Sequence, residues 1–225
     1  MHPWAVSPQE AEAIQRRLAP LVQEMPLSLM PRTIAGIDVG VSGEVARAAV
    51  VVLTYPDLRP MEQVAAEKPV SFPYVPGLLS FREVPVILDA LHRLSALPDL
   101  LMCDAQGRAH PRRLGLASHL GVLLDKPTIG CAKSRLLGTH DEVPDIPGAW
   151  VPLIDQGEIV GAALRTRAGV HPLYVSVGHR VDLDGAVKLV VACCRNHRLP
   201  EPTRLAHLAA GGNQVVPPAQ QMALF

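Results

Sequence analysis

The segment from Ala46 to Tyr55 contains Val50-Val51-Val52-Leu53, and a nearly continuous apolar run of this kind predicts a strand that is covered on both faces. Such a strand belongs in a sheet with packing elements on each side. The chain has 225 residues, of which 48% are hydrophobic, so it is long enough and apolar enough to build a sizeable core. We therefore expect a globular protein organised around one sheet.

The order of the predicted elements indicates a mixed α/β fold. Strand candidates at Thr33 to Val39 and Met61 to Val70 flank the apolar strand and predict a three-stranded meander. Ser7-Pro8-Gln9-Glu10 is a capping box that predicts an N-terminal helix. The remaining predictions are a helix through 84–94, a strand at 100–103, a helix at 114–124, strands at 128–131, 158–167 and 172–177, a helix at 183–198 and a short segment through 207. The sequence predicts a single domain at 1–210 and a flexible tail at 211–225.

Several classes of protein are excluded by composition. The longest apolar run, Ala48 to Leu53, is far shorter than the ~20 residues that cross a bilayer. Charged residues near the N-terminus do not fit a secretory signal, so we expect a cytoplasmic protein. The cysteines form no C-x-x-C pair and suit buried, reduced thiols; they are Cys103, Cys131, Cys193 and Cys194.

The overall charge is zero, but its distribution is uneven. The stretch from Ala105 to His140 carries a net charge of +5, and the rest of the chain carries −5. A local positive stretch is typical either of one anionic contact surface, such as a nucleic-acid backbone, or of a solvated face.

Two aspartates follow predicted strands. Asp38 ends the first strand candidate and Asp104 ends the strand after the long helix. If these strands are parallel neighbours, they lie about 4.8 Å apart and bring the two carboxylates together. Two such carboxylates share a proton or hold a cation, with Mg²⁺ or Mn²⁺ favoured by oxygen ligands. The alternative is that each aspartate only begins a loop.

Other polar residues have two interpretations as well. Glu83 could close a capping box with Ser80, but Pro85 favours a helix that begins nearer Glu83 and leaves its carboxylate free. His110-Pro111-Arg112-Arg113 precedes a predicted helix, where basic side chains favour a bound anion such as a phosphate. Lys133 follows a short apolar strand and lies either near the same strand ends or in solvent.

Six strings, in order between about residues 33 and 208, together resemble the endonuclease V family. They are Gly36-Ile37-Asp38-Val39-Gly40, Pro73-Tyr74-Val75-Pro76-Gly77-Leu78-Leu79-Ser80-Phe81-Arg82-Glu83, Asp104 through Arg113, Gly115 through Gly121, Gly178-His179-Arg180 and Leu199 through Arg204. The resemblance implies an RNase H-like fold and a metal-dependent, deoxyinosine-specific nuclease.

The resemblance also implies roles for individual residues. It makes Asp38 and Asp104 metal ligands for Mg²⁺ or Mn²⁺ and Glu83 and His207 their catalytic companions. Lys133 would support the phosphate chemistry as a further catalytic residue. Tyr74, at the tip of the proline-framed loop, resembles the family's wedge that enters the base stack beside the lesion. Pro73, Pro76 and Gly77 would stiffen that loop. The backbone at Gly77 to Leu79 and Gly115 to Ala117 is expected to line a hypoxanthine pocket. The family usually has glycine at the position of Ala105, a departure that bears on base preference.

The function that the resemblance implies is hydrolysis of the second phosphodiester bond 3′ to deoxyinosine in DNA, by a monomer, with 3′-hydroxyl and 5′-phosphate products. Inosine-containing RNA is a second possible substrate. The alternatives are another RNase H-like nuclease, acting on branched or abasic DNA, and a catalytically silent nucleic-acid-binding module. The presence of the three carboxylates argues against the silent module.

The last five residues form a separate motif. Gln221-Met222-Ala223-Leu224-Phe225 resembles the pentapeptide by which bacterial repair and replication proteins dock on the β sliding clamp. In that comparison Leu224 and Phe225 fill an apolar pocket while the Gln221 amide makes hydrogen bonds. A random tail end is the alternative, because five residues are a small sample.

Overall fold

The protein is described here by a computed structural model over residues 2–217, which is built on eight strands. The strands are β1 (Thr33–Ser42), β2 (Val45–Thr54), β3 (Pro60–Pro69), β4 (Leu100–Cys103), β5 (Thr128–Ala132), β6 (Trp150–Asp155), β7 (Glu158–Leu164) and β8 (Leu173–His179). The helices are α1 (Pro8–Leu18), α2 (Leu79–Leu91), α3 (Leu116–Leu124), α4 (Leu183–Ala192) and α5 (Glu201–Ala210), with a 3-10 turn at Ala19–Leu21.

All eight strands form one mixed sheet in the order β3-β2-β1-β4-β5-β8-β7-β6. β1, β4 and β5 are parallel, and the other neighbours are antiparallel. The predicted meander of β1, β2 and β3 and the predicted mixed α/β fold are confirmed. Parallel strands in the centre place the ends of β1, β4 and β5 at the same edge of the sheet.

Helices cover both faces of the sheet, as the apolar run in β2 predicts. Val51 and Leu53 pack into a core shared with α4 and α5, whereas Val50 and Val52 pack into the core shared with α2 and α3. The side chains of successive strand residues point to opposite faces, so an apolar residue at every position of β2 serves both cores.

The capping box at the start of α1 is present, with Ser7 and Glu10 bonded to each other's backbone N–H. The apolar side of α1 packs against an aromatic cluster that contains Phe72 and Phe81. All four cysteines are free thiols, and three of them are buried.

Three predicted elements differ from the structure. The helix predicted at 183–198 ends at Ala192, because the Arg198 guanidinium donates to the carbonyls of Lys133, His171 and Pro172 and holds the following residues in a loop. The short segment predicted through His207 is the ten-residue helix α5, which contains His207 and has Pro202 in its first turn. β6 was not predicted, because Pro152 interrupts its pattern; as an edge strand it tolerates proline.

The start of α2 also differs from the prediction. The helix begins at Leu79, before Glu83, and carries Pro85 in its interior. Ser80 does not cap it, since its Oγ lies 3.0 Å from His119 Nδ1 in the buried interior. The buried side chains of Leu78 and Phe81 hold this first turn against the aromatic cluster. Neither the capping box nor the later helix start is correct.

The packed chain extends beyond the predicted boundary at residue 210. Gln63 on β3 donates to the carbonyl of Asn213 and accepts from the N–H of Val215, and Val216 has 0% exposure. Residues 211–216 therefore belong to the packed unit. Gln221, Leu224 and Phe225 lie outside the described residues. Within residues 2–217, no helix has the length and apolar character needed to cross a membrane.

Candidate active site

Two carboxylates meet where β1 and β4 run side by side. Ile37 pairs with Cys103 at the end of the parallel ladder, and the N–H of Asp104 then donates to the Ile37 carbonyl at 3.0 Å. Asp38 and Asp104 thus occupy neighbouring positions, as expected if the two strands are parallel. Lys133 directly follows the next parallel strand, β5, and its Nζ lies 2.5 Å from Asp104 Oδ2. Of the two positions considered for Lys133, the structure shows the one at the strand ends and not the one directed into solvent.

Helix α5 brings His207 to the same point. His207 Nδ1 lies 2.7 Å from Asp38 Oδ2 and 3.4 Å from Lys133 Nζ. The helix can approach β1 because Gly36 has no side chain: a Cβ there would lie 1.8 Å from the Pro202 carbonyl oxygen. This glycine is part of the string that carries the family resemblance, and its role is close packing of backbone on backbone.

Glu83 reaches the site from α2, the helix on the opposite face from α5. Burial, together with the charges of Asp38 and Asp104 and against the opposing charge of Arg82, raises the pKa of the Glu83 carboxyl to about 8. Burial also raises the pKa of Asp104, against the lowering effect of Lys133. Carboxyl groups gathered away from water disfavour their own charged forms even with Lys133 beside them, and a bound cation relieves this condition.

The residues present fit a divalent cation. Asp38, Asp104 and His207 each offer a ligand atom, and these atoms lie within 4.8 Å of one another. Asp104 Oδ2 is buried without a hydrogen bond of good geometry, although the Lys133 ammonium is close to it. Two carboxylates and one imidazole form a donor set that suits Mg²⁺ or Mn²⁺.

A pocket of about 410 Å³ opens beside this cluster. Tyr74 stands at its rim with 72% of its surface exposed, in the proline-framed loop that precedes α2. Pro73 precedes it in the same loop, and the Arg82 guanidinium lies 6.0 Å from the centre of the Tyr74 ring. The lining joins the predicted wedge, the predicted base pocket and the acidic cluster, and it includes Asp38, Tyr74, Gly77, Leu79, Asp104, Ala105, His110, Gly115, Lys133 and Arg135.

His110 and Arg112 both contact the wedge loop. His110 Nδ1 accepts from the Arg112 N–H, so its Nε2 is the donor to the Gly77 carbonyl at 2.8 Å. Arg112 Nη2 donates to the same carbonyl at 2.8 Å. Burial lowers the pKa of His110 to about 4, so the imidazole is neutral at pH 7 and brings no charge to a phosphate.

The positive stretch is partly compensated by acids from elsewhere in the chain. Arg113 pairs with Asp155 and Glu158 on the β6–β7 hairpin, and Arg108 pairs with Glu158 and Glu24. Carboxylates of the protein therefore balance the charges of Arg108 and Arg113, where the sequence predicts a bound anion such as a phosphate. Lys133 and Arg135 remain in the stretch as cations that line the pocket.

Sequence reasoning did not identify one pocket residue, Gln15. Its side chain is 1% exposed and lies on the apolar side of α1, between Ala11 and Leu18. A polar residue at an apolar position of a helical stripe is the signal that could have revealed it.

The sequence matches the family model described as Endonuclease V over residues 16–208. The chain belongs to the endonuclease V family. It is 55% identical over 213 residues to an endonuclease V from Roseiflexus sp. (strain RS-1), an alignment that covers 95% of this chain and 96% of the relative. The predicted family is thereby confirmed, and with it a nuclease activity.

Solved structures agree with this assignment. The endonuclease V of Streptomyces avermitilis superposes with a TM-score of 0.89 at 43% identity, covering 93% of each chain. An endonuclease V from Ciona intestinalis has a TM-score of 0.79 at 28% identity, covering 91% of this chain and 96% of its own. That structure is a complex with a 24mer DNA containing an inosine followed by a ribo-adenosine. The predicted RNase H-like fold is confirmed.

Proposed function

We propose that this chain is a DNA repair endonuclease that hydrolyses the second phosphodiester bond 3′ to deoxyinosine and leaves 3′-hydroxyl and 5′-phosphate ends. The observation that carries the proposal is that one pocket is lined by Asp38 and Asp104, which cluster with His207, and also by Tyr74. A strand whose flipped base occupies the pocket would run its phosphates past the acidic cluster. The inosine-containing DNA bound by the Ciona relative supports the choice of substrate.

In this proposal the pocket residues separate and hold the lesion. Tyr74 enters the base stack, which reduces the cost of extruding a mispaired base. The hypoxanthine base then lies against the backbone near Gly77, Leu79 and Gly115, which line the pocket. Arg112 and His110 donate hydrogen bonds to the Gly77 carbonyl and so fix the end of the loop that carries Tyr74.

The proposed chemistry takes place at the strand ends. Asp38, Asp104 and His207 would hold Mg²⁺ or Mn²⁺, which when bound lowers the pKa of water and offsets charge on the phosphate and the leaving 3′-oxygen. Lys133 places an ammonium beside Asp104, where it favours an anionic phosphate. Glu83 holds a proton near neutral pH in the metal-free protein.

The test is a substrate panel. Matched 5′-labelled oligonucleotides would carry deoxyinosine in duplex and single-stranded DNA, inosine in RNA, uracil, an abasic site or a flap, each with Mg²⁺, with Mn²⁺ and with EDTA. We expect metal-dependent cleavage of deoxyinosine DNA at the second 3′ bond, with ends that a DNA ligase can rejoin. Preferential cleavage of inosine RNA, or of flap or abasic DNA, would replace the proposed substrate with that alternative.

We also propose that the C-terminal residues dock on a bacterial β sliding clamp. Val216 is fully buried, so the chain is anchored five residues before Gln221. Docking through Gln221, Leu224 and Phe225 would tether the nuclease to replicated DNA.

A further inference from the structure

Gln15 connects two walls of the pocket through one buried amide. Its Nε2 donates to the Gly77 carbonyl at 3.0 Å and to the Leu114 carbonyl at 3.2 Å. Its Oε1 accepts from Arg112 Nε at 2.5 Å. Gly77 closes the loop that carries Tyr74, and Leu114 immediately precedes Gly115 at the start of α3. The amide therefore joins α1 to both sides of the pocket.

The Gly77 carbonyl is a shared anchor. It accepts from Gln15 Nε2, His110 Nε2 and Arg112 Nη2. Gly77 has φ +79°, and a Cβ at this position would lie 2.8 Å from Arg112 Nη2. The end of the wedge loop is thus held in a conformation that favours glycine by donors from two separate parts of the chain.

Leu114 makes a different contribution. Its side chain is fully buried, and its carbonyl would lose the Gln15 donor if the amide were removed. An unpaired buried acceptor is costly, so the loop before α3 would move to recover a partner. The separation between Gly77 and Gly115, which both line the pocket, depends in this way on Gln15.

We propose that Gln15 is a positioning residue that sets the width of the base pocket and thereby determines discrimination between hypoxanthine and guanine. The inference rests on the proposed function. Guanine differs from hypoxanthine by one exocyclic amino group, so a pocket held at fixed width can reject it on size. The family model begins at residue 16, and Gln15 lies just outside that match.

The experiment compares Gln15→Met and Gln15→Glu with the control Gln9→Met. Methionine has a similar volume and no donors, while glutamate keeps an acceptor for Arg112 but cannot donate to Gly77 and Leu114. Gln9 lies on the exposed side of the same helix. Steady-state kinetics would use duplexes with deoxyinosine or deoxyguanosine at the same position, with thermal unfolding measured in parallel.

Both Gln15 variants should raise KM for the deoxyinosine duplex about tenfold, with kcat changed less than about threefold, because the acidic cluster is not touched. The ratio of kcat/KM for inosine to that for guanine should fall about tenfold, while Gln9→Met stays at the wild-type ratio. If Gln15→Met is unfolded, Gln15→Glu decides the question alone.

An unchanged ratio in a folded Gln15 variant, or an equal loss in Gln9→Met, would overturn the inference. A fall in kcat without a change in KM or in the ratio would also overturn it, because that pattern places Gln15 in support of the acidic cluster. Failure of the wild-type protein to cleave deoxyinosine DNA is a separate result, which refutes the proposed function itself.

Discussion

Asp38 and His207 are separated by 169 residues of sequence, and Asp38 Oδ2 lies 2.7 Å from His207 Nδ1. The contact depends on helix α5 lying directly on β1. Gly36 and Asp38 point to the same face of the strand, since they are two residues apart. The missing side chain at Gly36 therefore allows the approach that brings the imidazole to the carboxylate.

Gly36→Ala should disrupt this arrangement. The new Cβ would lie 1.8 Å from the Pro202 carbonyl oxygen, so helix α5 must shift. We expect a loss of about 1–3 kcal/mol or more in the free energy of unfolding, together with a large loss of cleavage. Urea unfolding and a cleavage assay on the same preparation measure both effects.

The control is Gly40→Ala, on the same face of the same strand. A Cβ there would have Ala210 O as its nearest neighbour, at an ordinary 3.7 Å. This variant should keep stability and activity near the wild-type values. Similar behaviour of the two variants would show that the β1–α5 approach does not position His207.

Asp38→Asn and Asp104→Asn should each reduce cleavage by at least about 10³-fold with Mg²⁺ or Mn²⁺, because each removes an anionic ligand from the cluster. Both variants should fold, since loss of one charge removes the repulsion between Asp38 and Asp104. Isothermal titration with Mn²⁺ provides a readout that is independent of catalysis. Wild-type Mn²⁺ affinity in either variant contradicts its assignment as a ligand.

The meeting of Asp38 with Asp104 could be anticipated from the sequence, because both residues end strands that the pattern predicts and parallel strands end at one edge of a sheet. The approach of His207 could not be anticipated this way. It depends on helix α5, whose sequence predicts only a short segment, and on packing between Gly36 and Pro202. Only the family resemblance predicted a role for His207.

The basic stretch shows a second limit of sequence reasoning. Local charge predicted an anion before α3, but Arg113 finds its acceptors on the β6–β7 hairpin. The sequence pattern does not predict strand β6, because Pro152 interrupts it. The position of Asp155 at the end of that strand could therefore not be predicted either. Pairing between distant segments decides which charges stay available, and a linear pattern does not contain that information.

The raised pKa of Glu83 predicts a pH-dependent stability in the metal-free protein. An unfolded glutamate titrates near 4.5 and the folded one near 8, so the folded state binds more protons between these values. The contribution of Glu83 is complete below the lower value and is lost as the pH rises through the upper one. Between about pH 6.5 and 8 we expect the Glu83 contribution to the unfolding free energy to fall by about 2 kcal/mol.

Urea unfolding in EDTA across this pH interval measures the effect. Four histidines have lowered pKa values, His2, His110, His119 and His179, and because an unfolded histidine titrates near 6.5, their contributions still rise slightly above that pH and oppose the trend. The difference between the wild type and a Glu83 variant removes this shared background. Glu83→Gln should remove the fall in unfolding free energy that occurs toward pH 8, whereas Glu142→Gln, an exposed control, should keep it. A wild-type slope in Glu83→Gln would assign the pH dependence to another group.

Tyr74→Ala should weaken binding to duplex DNA that contains deoxyinosine by about 1–3 kcal/mol, the usual contribution of a base–aromatic stack. Tyr74 is largely exposed, so thermal stability should not change. The loss should be smaller on single-stranded DNA, where no duplex stack has to be opened. Tyr74→Phe is the matched control and should retain binding; equal losses on both substrates would argue against a wedge.

The clamp proposal is tested with a peptide of residues 217–225, titrated against purified β sliding clamp by fluorescence anisotropy. The peptide contains the Gln221, Leu224 and Phe225 side chains that the motif needs, and it begins directly after the buried Val216. We expect a Kd on the order of micromolar, because a short segment must be ordered as it binds. The Leu224→Ala, Phe225→Ala peptide should lose binding, since it no longer fills an apolar pocket, while Met222→Ala keeps the remaining side chains as a control.

Removal of residues 217–225 from the whole protein should leave cleavage of deoxyinosine oligonucleotides unchanged and abolish its association with the clamp. Equal binding by the wild-type and doubly substituted peptides, or binding by neither, would reject the tail as a clamp ligand.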